Sequence, residues 1–414
     1  MSTSANLFSG LKVVDLASYI AGPAATTILS DFGADVIKVE PPHGGDPYRY
    51  FYKLPPNPAA AFNYAWQLTN RNKRSIAIDL KSPEARPVLE RLIRAADVVV
   101  VNYPPKVKAA LGLTYEALSP LNPRLIYADI TGYGALGPEA DKPGFDITAY
   151  WARTGLMQVT HDAGSPPTLP IPGIGDHATA VSLYASIVTA LYARERTGRG
   201  DHVYTSLIAE GAWAAAAWIE GGLHGAKFFP QHDRAAPPNA LLNPYRTKDD
   251  RWLLLVAAQD KDWAGITQAI AHPELQTDPR FDDARKRAAN ATDLVAILDP
   301  IFASQPLAFW KDVLDKGRVI FGVVQVAHEI VNDPQMLANN VFVPMKEPLG
   351  DVNLTVNSPV SVSGYRKVVP GRAPELSEHA TEILLELGFT PEESTVLIEH
   401  GAIGAAPAPA GAPV

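Results

Sequence analysis

The chain has 414 residues, of which 47% are apolar and 19% are charged, a composition typical of globular rather than disordered proteins. This length is too great for one ordinary hydrophobic core and predicts two domains. The net charge of −8 argues against nucleic acid as a partner, and the absence of cysteine excludes disulfides, thiolate catalysis and cysteine-ligated metal sites.

The same composition bears on location. A chain without cysteine fits a cytoplasmic protein, and its first residues lack the basic start and apolar run of a signal peptide. The most apolar stretch, residues 209–223, is short for a membrane span and contains Glu210 and Glu220. We therefore expect a buried helix there and no membrane partner.

The first half of the chain alternates strand and helix patterns. A strand at 11–16, a helix at 21–32 and a strand at 34–40 form one βαβ unit. Further strands are predicted at 75–80, 97–101, 124–130 and 202–206, with helices after Ser82 and from Ala178 to Arg196. The four valines after Asp97 are typical of a strand buried on both faces.

This alternation predicts an α/β fold with a Rossmann-like, mostly parallel sheet and helices on both faces. In such folds ligands bind beyond the carboxyl ends of the strands. We therefore expect the loops after Leu16, Glu40, Val101 and Ile130 to form the walls of the site.

The pattern changes near residue 225. Residues 227–244 read as a loop, 251–256 as a strand, and 262–271 and 292–302 as helices. We predict four segments: the first part of a large domain at 1–224, a smaller α/β domain at 225–325, a return segment that completes the large domain at 326–403, and a disordered tail at 404–414. The return segment includes a predicted helix at 377–387.

One carboxylate follows an approach rich in proline and glycine. Asp176 comes directly after Gly175 and just before the helix that is predicted from Ala178. A helix N-terminus favours the ionised form, Gly175 lets a backbone or ligand come close, and such a carboxylate can act as a nucleophile. The alternative is that Asp176 only caps the helix, which local sequence alone favours.

Other motifs are weaker or missing. Gly173-Ile174-Gly175-Asp176-His177-Ala178 resembles a dinucleotide-binding fingerprint, but Pro170 and Pro172 break the strand that should precede it. The chain has no phosphate-binding loop, and the absence of Gly-x-Ser-x-Gly argues against an α/β-hydrolase. It has no His-Glu-x-x-His and no tight cluster of histidine and aspartate, so we expect no metal.

Basic and aromatic residues near the predicted strand ends have two interpretations each. Lys38, Lys106 and Lys108 could meet a phosphate-bearing cofactor, or form a solvated face. Tyr133, in a glycine-flanked turn, could aim its phenol at a reacting oxygen or pack over the edge of the sheet.

Nine blocks of the sequence, in order along nearly the whole chain, each match a block of a known protein family. They are residues 7–16, 21–23, 31–40, 72–80, 132–138, 143–146, 175–176, 196–200 and 371–388. Together they resemble the family III CoA-transferases, the group that includes formyl-CoA transferase, carnitine CoA-transferase and α-methylacyl-CoA racemase. The resemblance implies an interlocked homodimer, with coenzyme A as part of the substrate.

The resemblance also implies roles for single residues. Asp176 takes the place of the catalytic aspartate, which would carry CoA as a thioester while CoA passes from an acyl-CoA to a free carboxylic acid. Backbone N–H groups near Gly175 would stabilise the oxyanions. Tyr133 is a second catalytic candidate, and the candidate CoA contacts are Ile20, Ala21, Lys38, Asn102, Tyr103, Lys108 and Gly175.

Departures from the family pattern separate its branches. Phe145 stands where the racemases carry a proton-transferring histidine, which disfavours an acyl-CoA racemase or epimerase. Ile20 replaces a glutamine of the formyl-CoA transferases, whose glycine-only loop is absent from 239–246, so formate and oxalate are not expected. Ile20 and Trp213 suggest a less polar acyl group. A non-catalytic CoA-binding protein, with Asp176 as a cap, is a further alternative.

Overall fold

A computed structural model describes residues 6–228, 230–257, 260–350 and 352–407. They form two compact units. The larger takes the described residues within Met1–Met157, Leu169–Gly225 and Gln335–Val414, and the smaller takes those within Gln158–Thr168 and Ala226–Pro334. The sequence analysis placed the smaller domain at 225–325 and did not assign Gln158–Thr168 to it. Of the tail predicted at 404–414, residues 408–414 lie outside the described residues.

The larger unit contains a parallel sheet. Its strands are β1 (Lys12–Asp15), β2 (Asp35–Glu40), β3 (Arg74–Ala77), β4 (Val98–Val101), β5 (Ile126–Thr131) and β6 (His202–Ser206). Their spatial order is β3-β2-β1-β4-β5-β6, and every neighbouring pair is parallel. The predicted Rossmann-like α/β fold is confirmed. The strand order reverses between β1 and β4, which is where ligands bind in folds of this type.

The helices of this half connect the strands. They are α1 (Ala21–Asp31), α2 (Tyr48–Phe51), α3 (Tyr64–Asn70), α4 (Arg86–Ala95), α5 (Pro105–Leu111), α6 (Tyr115–Leu118), α7 (Leu156–Val159), α8 (Ile174–Thr197), α9 (Leu207–Ala214) and α10 (Ala216–Leu223). A π-helical segment covers Ile147–Ala152, and short 3₁₀ turns cover Pro83–Ala85 and Ser119–Leu121.

The rest of the chain adds an antiparallel sheet and a return segment. In the smaller unit, β7 (Leu242–Arg246), β8 (Trp252–Val256) and β9 (Phe321–Val323) pair in that order. The remaining elements are α11 (Asp260–Ala269), a 3₁₀ turn at Pro273–Gln276, α12 (Ala284–Ala289), α13 (Ala291–Phe302), α14 (Leu307–Lys316), α15 (Ala327–Ile330), α16 (Pro334–Ala338), the hairpin β10 (Phe342–Leu349) and β11 (Val352–Val356), α17 (Ala380–Glu386) and α18 (Pro391–Glu399).

A hydrophobic core lies on each face of the parallel sheet. On β4, Val98 and Val100 pack in the core that includes α1 and α8, whereas Val99 and Val101 pack in the core that includes α4 and α17. All four valines are fully buried. The interpretation of this run as a strand buried on both faces is confirmed.

Several expectations for single elements were wrong. Residues 209–223 form two helices rather than one buried helix, and on them Trp213 is 77% and Leu223 is 74% exposed. The stretch 227–244, read as a loop, contains the first residues of β7. The sequence analysis missed α18, although Thr390 and Glu393 form a capping box at its start. Within the described ranges, no helix combines the length and the apolarity that crossing a bilayer requires.

Candidate active site

A cavity of about 290 Å³ opens where β1, β4 and β5 end. The loop after β1 contributes Ser18, Tyr19, Ile20 and Ala21, the loop after β4 contributes Asn102, Tyr103 and Pro104, and the loop after β5 contributes residues 131–132. The remaining lining residues are Pro47, Ile130, Ala140, Lys142, Pro143, Gly144, Phe145, Asp176 and Leu207. The cavity therefore lies at the reversal of strand order, and all four predicted loops take part in it, since Pro47 belongs to the loop after β2.

Asp176 is the third residue of α8 and lines this cavity. It does not cap the helix. The N-cap position is Gly173, with φ of 98°, and the backbone N–H groups of Gly173 and Gly175 donate to Asp146 Oδ2 over 2.7 and 3.3 Å. The capping interpretation of Asp176 was therefore wrong, because Asp146 takes that role from a distant part of the chain.

The occupied helix N-terminus changes the electrostatics of Asp176. Burial, and then the nearby charge of Asp146, raise the pKa of Asp176 to about 7. We expected the helix N-terminus to favour the ionised form, but Asp146 already accepts from the N–H groups of Gly173 and Gly175. For the same reason the N–H of Gly175 is engaged by a carboxylate and not free for an oxyanion.

Gly175 is needed for packing. A Cβ atom at this position would lie 2.5 Å from Cγ of Tyr150, a residue of the π-helical segment. The group that approaches Gly175 is therefore an aromatic ring, whereas the sequence analysis expected a backbone or a ligand. Gly175 itself is buried and does not line the cavity.

The loops after β1 and β4 are joined by one side chain. Asn102 accepts a hydrogen bond from the backbone N–H of Ser18 over 2.9 Å and donates to the carbonyl of Ser18 over 2.8 Å. Beside it, Ile20 is 5% exposed, and its Cδ1 would be 3.1 Å from a Cβ atom on Gly173. Ile20 therefore reaches the first turn of α8, the turn that carries Asp176.

Two of the lysines that were candidate CoA contacts are buried and lie outside the cavity lining. Lys38 is fully buried, lies 3.1 Å from Asp46 Oδ2 and donates to the carbonyl of Ala17. Lys108 is 6% exposed and pairs with Asp129. The structure thus gives both amines partners within the protein, and their contact with CoA stays a prediction.

Two other basic side chains lie closer to solvent. Lys106 pairs with Asp141 at 3.2 Å. Lys142, which the sequence analysis did not single out, lines the cavity and pairs with Glu139 at 2.9 Å. Lys142 is therefore the lysine that the cavity lining presents.

Tyr133 lies beside the cavity rather than in its lining. Its ring has the Nζ of Lys142 at 5.2 Å from the centroid and the guanidinium of Arg153 at 5.4 Å. A Cβ atom on Gly144 would be 2.7 Å from the ring. These contacts show packing against cations and backbone, and a catalytic role for Tyr133 stays a prediction.

The sequence analysis missed the roles of Asp46 and Asp146. Asp46 is 1% exposed and accepts from the backbone N–H of Tyr19, while Asp146 is 3% exposed and caps α8. A signal for Asp46 existed in its position after Gly44-Gly45, a pair suited to a tight turn. A signal for Asp146 existed in its position just before a helical segment.

Across the parts of the chain that the structure describes, no three side chains of histidine, cysteine, aspartate or glutamate gather as metal ligands.

The sequence profile of CoA-transferase family III matches residues 8–380. The chain belongs to this family. It is 31% identical to a cinnamoyl-CoA:phenyllactate CoA-transferase of Clostridium sporogenes over 95% of this chain and 96% of that protein. It is 32% identical to an (R)-2-hydroxy-4-methylpentanoate CoA-transferase of Clostridioides difficile over 94% and 97% of the two chains. The resemblance seen in the sequence blocks is confirmed.

A solved structure supports the same membership. A CaiB/BaiF family protein from Brucella suis superposes with a TM-score of 0.81 at 29% identity, over 93% of this chain and all of that one. The protein is a family III CoA-transferase. Phe145, which stands where the resemblance places the histidine of the racemases, lines the cavity.

Proposed function

We propose that the enzyme transfers CoA between an acyl-CoA and a free carboxylic acid through a thioester on Asp176. The observation that supports this proposal is the position of Asp176. Its carboxylate lines the cavity at the carboxyl ends of the strands, and another carboxylate, Asp146, performs the helix capping that would otherwise occupy it.

The chemistry takes four steps on one side chain. An oxygen of Asp176 attacks the thioester carbonyl, the carbon–sulfur bond breaks, and CoA leaves as a thiolate, so that Asp176 and the first acid are joined in a mixed anhydride. The thiolate then attacks Cγ of Asp176 and expels the first acid as its carboxylate. The second acid attacks the aspartyl thioester, and the released thiolate attacks the new acyl carbonyl, which yields the second acyl-CoA and frees Asp176.

The raised pKa of Asp176 suits this role. A carboxylate with a pKa of about 7 is ionised in about half of the molecules at neutral pH and is more basic than an exposed aspartate. Charge that develops in these steps is stabilised by donors near the reacting carbon. Because the N–H of Gly175 donates to Asp146, that donor must come from another group.

CoA is proposed to enter along the loops after β1 and β4. Ile20, Ala21, Asn102 and Tyr103, four of the candidate contacts, line the cavity. Lys142 at the same cavity is a further candidate for a phosphate of CoA, since its amine is half exposed. Trp213, which together with Ile20 suggested a less polar acyl group, is exposed and does not line this cavity.

The test is to follow the covalent intermediate. Acyl-CoA is mixed with the enzyme without an acceptor acid, and mass spectrometry looks for CoA on the peptide that contains Asp176. We expect the adduct in the unchanged enzyme, its absence in Asp176→Asn, and at least a thousandfold loss of transfer in that variant. Asp312→Asn, an exposed change in the smaller unit, is the control and should behave as the unchanged enzyme.

Other outcomes would favour the alternatives. Full transfer by Asp176→Asn would contradict the proposal. Deuterium uptake at the α-carbon from heavy water without an acceptor would favour an acyl-CoA racemase or epimerase. CoA binding without transfer to any acid of a broad panel would favour a non-catalytic CoA-binding protein.

A homodimer and a cytoplasmic location are also proposed. The homodimer is supported by apolar side chains exposed on α9 and α10, with Trp213 at 77%, Leu223 at 74% and Trp218 at 42%. Sedimentation equilibrium should give a mass of twice 44.5 kDa. A mass of one chain at micromolar concentration would contradict the dimer.

A further inference from the structure

Tyr19 has a backbone conformation that side chains other than glycine rarely adopt. Its φ is 66°, in the left-handed region, and it lies in the loop after β1 that lines the cavity. Such a conformation is strained and persists only where the surroundings hold it. Contacts with other segments of the chain therefore have to hold Tyr19 in this conformation.

Three consecutive residues of this loop are each bound by a different partner. Lys38 donates to the carbonyl of Ala17, and Asn102 bonds both the N–H and the carbonyl of Ser18. The N–H of Tyr19 donates to both carboxylate oxygens of Asp46, over 3.1 Å each. The loop is thus fixed at every residue from 17 to 19.

The anchor of Tyr19 is itself buried and bound. Asp46 is 1% exposed, accepts from the N–H of Tyr48 over 3.0 Å and pairs with Lys38. Lys38 has no exposed surface. A buried charge pair of this kind contributes little net stability but fixes geometry where every partner is satisfied.

Because the loop is fixed, Tyr19 and Phe145 form an aromatic wall on one side of the cavity. The ring of Tyr19 meets the ring of Phe145 edge to face, with centroids 5.3 Å apart, and both residues line the cavity with Asp176. Ile20 contacts the first turn of α8, and Phe145 precedes Asp146, which caps that turn. The surroundings of Asp176 are therefore apolar on these sides.

A second carboxylate on the substrate would find few partners here. Among the described residues that line the cavity, the one cation is Lys142, and Glu139 already pairs with it. A charged group without a partner is costly to bury, whereas an aryl or branched alkyl group gains about 25 cal/mol for each Å² removed from water.

We propose that Tyr19 determines acyl specificity, and that the site takes monocarboxylic acids with an aryl or branched apolar side chain in preference to dicarboxylic acids. Tyr19 and Phe145 form the surface against which the apolar group packs. This proposal rests on the CoA-transfer function proposed above and adds the class of acid to it.

The experiment compares two acceptors, 3-phenylpropionate and succinate, with one acyl-CoA donor. The unchanged enzyme should favour 3-phenylpropionate at least tenfold in kcat/KM, since apolar pockets discriminate by ten- to a few hundredfold. In Tyr19→Asn this preference should fall at least tenfold, mainly through KM for 3-phenylpropionate. Asparagine is chosen because it tolerates the left-handed region while it removes the ring.

The controls separate the effect of losing the aromatic ring from an effect on folding. Tyr19→Phe keeps the ring and should retain the preference. Phe145→Ser removes the other half of the wall at a residue that is 54% exposed, and should reduce the preference as Tyr19→Asn does. The ratio of the two acids within one variant is independent of the fraction of active enzyme.

The outcomes distinguish this inference from the function on which it rests. A preference for succinate in the unchanged enzyme, or an unaltered ratio in both Tyr19→Asn and Phe145→Ser, would overturn the role of Tyr19 while CoA transfer stands. Absence of transfer to either acid and to the broader panel would instead contradict the proposed function.

Discussion

The two units place their charges differently. In the larger unit Asp15, Lys38, Asp46 and Lys73 are each at most 4% exposed, and they form a connected buried cluster, with Lys73 2.9 Å and Lys38 4.0 Å from Asp15. In the smaller unit, the pair Arg251–Glu329 is partly exposed, with side chains at 23% and 34%, and the buried guanidinium of Arg287 donates to the carbonyl of Phe281.

The comparison teaches that the buried charges of the larger unit fix local geometry, whereas an ion pair near the surface, such as Arg251–Glu329, has little such effect. Burial alone would raise the pKa of Asp15, but Lys38 and Lys73 outweigh it and hold that pKa below its ordinary value. Burial lowers the pKa of Lys73 to about 8, in spite of Asp15. Buried charges are tolerated only with such partners, and here the cluster supports the loop that carries Tyr19.

The largest expected effect tests this contrast directly. Lys38→Met leaves Asp46 buried without its cation and should lower the free energy of unfolding by about 3–5 kcal/mol. Arg251→Met, at the surface of the smaller unit, should lower it by less than about 1 kcal/mol. Urea denaturation followed by tryptophan fluorescence measures both.

The same pair of variants addresses the sequence prediction for Lys38. If Lys38 bound a phosphate of CoA, Lys38→Met would weaken CoA binding without loss of stability. Equal losses of stability in Lys38→Met and Arg251→Met would contradict the contrast between the units.

The next effect concerns the close packing of Gly175, the residue before Asp176, against Tyr150. Gly175→Ala places a Cβ atom 2.5 Å from Cγ of Tyr150, so that the ring or the start of α8 must move. A displacement of about 1 Å in a reacting group can cost about a hundredfold, and we expect that loss in kcat. Steady-state kinetics with a saturating acyl-CoA donor measure it.

Gly322→Ala is the matched control in the smaller unit, where an added Cβ atom meets nothing within 4 Å. It should leave kcat unchanged. A kcat of Gly175→Ala equal to that of the unchanged enzyme would show that the first turn of α8 tolerates movement and that the position of Asp176 is not tightly set.

Much of the fold could be predicted because it depends on local pattern. The alternation of strands and helices, and the four valines of β4, follow from burial on both faces of a parallel sheet. The loops after β1, β2, β4 and β5 were expected at the site because carboxyl ends of parallel strands share one edge.

The contacts of single charged residues could not be predicted in the same way. Lys38 lies in β2 and looked free from its sequence position, but its partner Asp46 returns to it from a later loop. Asp176 looked like a cap until the tertiary fold brought Asp146, thirty residues earlier, to the same helix end. Sequence spacing gives no information on such contacts between distant segments.

A smaller effect concerns the charge of Asp146. Because this charge raises the pKa of Asp176, Asp146→Asn should lower that pKa from about 7, while the amide oxygen can still accept from Gly173. Transfer requires ionised Asp176, so kcat/KM rises as pH passes through this pKa. In the variant the rise should move to lower pH.

The measurement is a pH profile of kcat/KM between pH 5 and 9, with Asp312→Asn as the control. The control should superpose on the unchanged enzyme. A rise that moves to higher pH in Asp146→Asn, or that stays in place, would contradict the electrostatic effect of Asp146 on Asp176.

A last effect is on stability and follows from the same pKa. Asp176 has a folded pKa of about 7, and an unfolded aspartate has one of about 3.9. Below pH 4 both states are protonated, whereas between pH 4 and 7 only the unfolded state loses its proton, so the unchanged enzyme loses stability as pH rises. Asp176→Asn lacks this loss. Its Tm should therefore be close to that of the unchanged enzyme at pH 4 and exceed it by several degrees at pH 8, since a rise of the pKa from about 3.9 to about 7 corresponds to at most about 4 kcal/mol. A Tm below that of the unchanged enzyme at pH 8 would show that the ionised carboxylate stabilises this cavity, and would remove the electrostatic argument for a reactive Asp176.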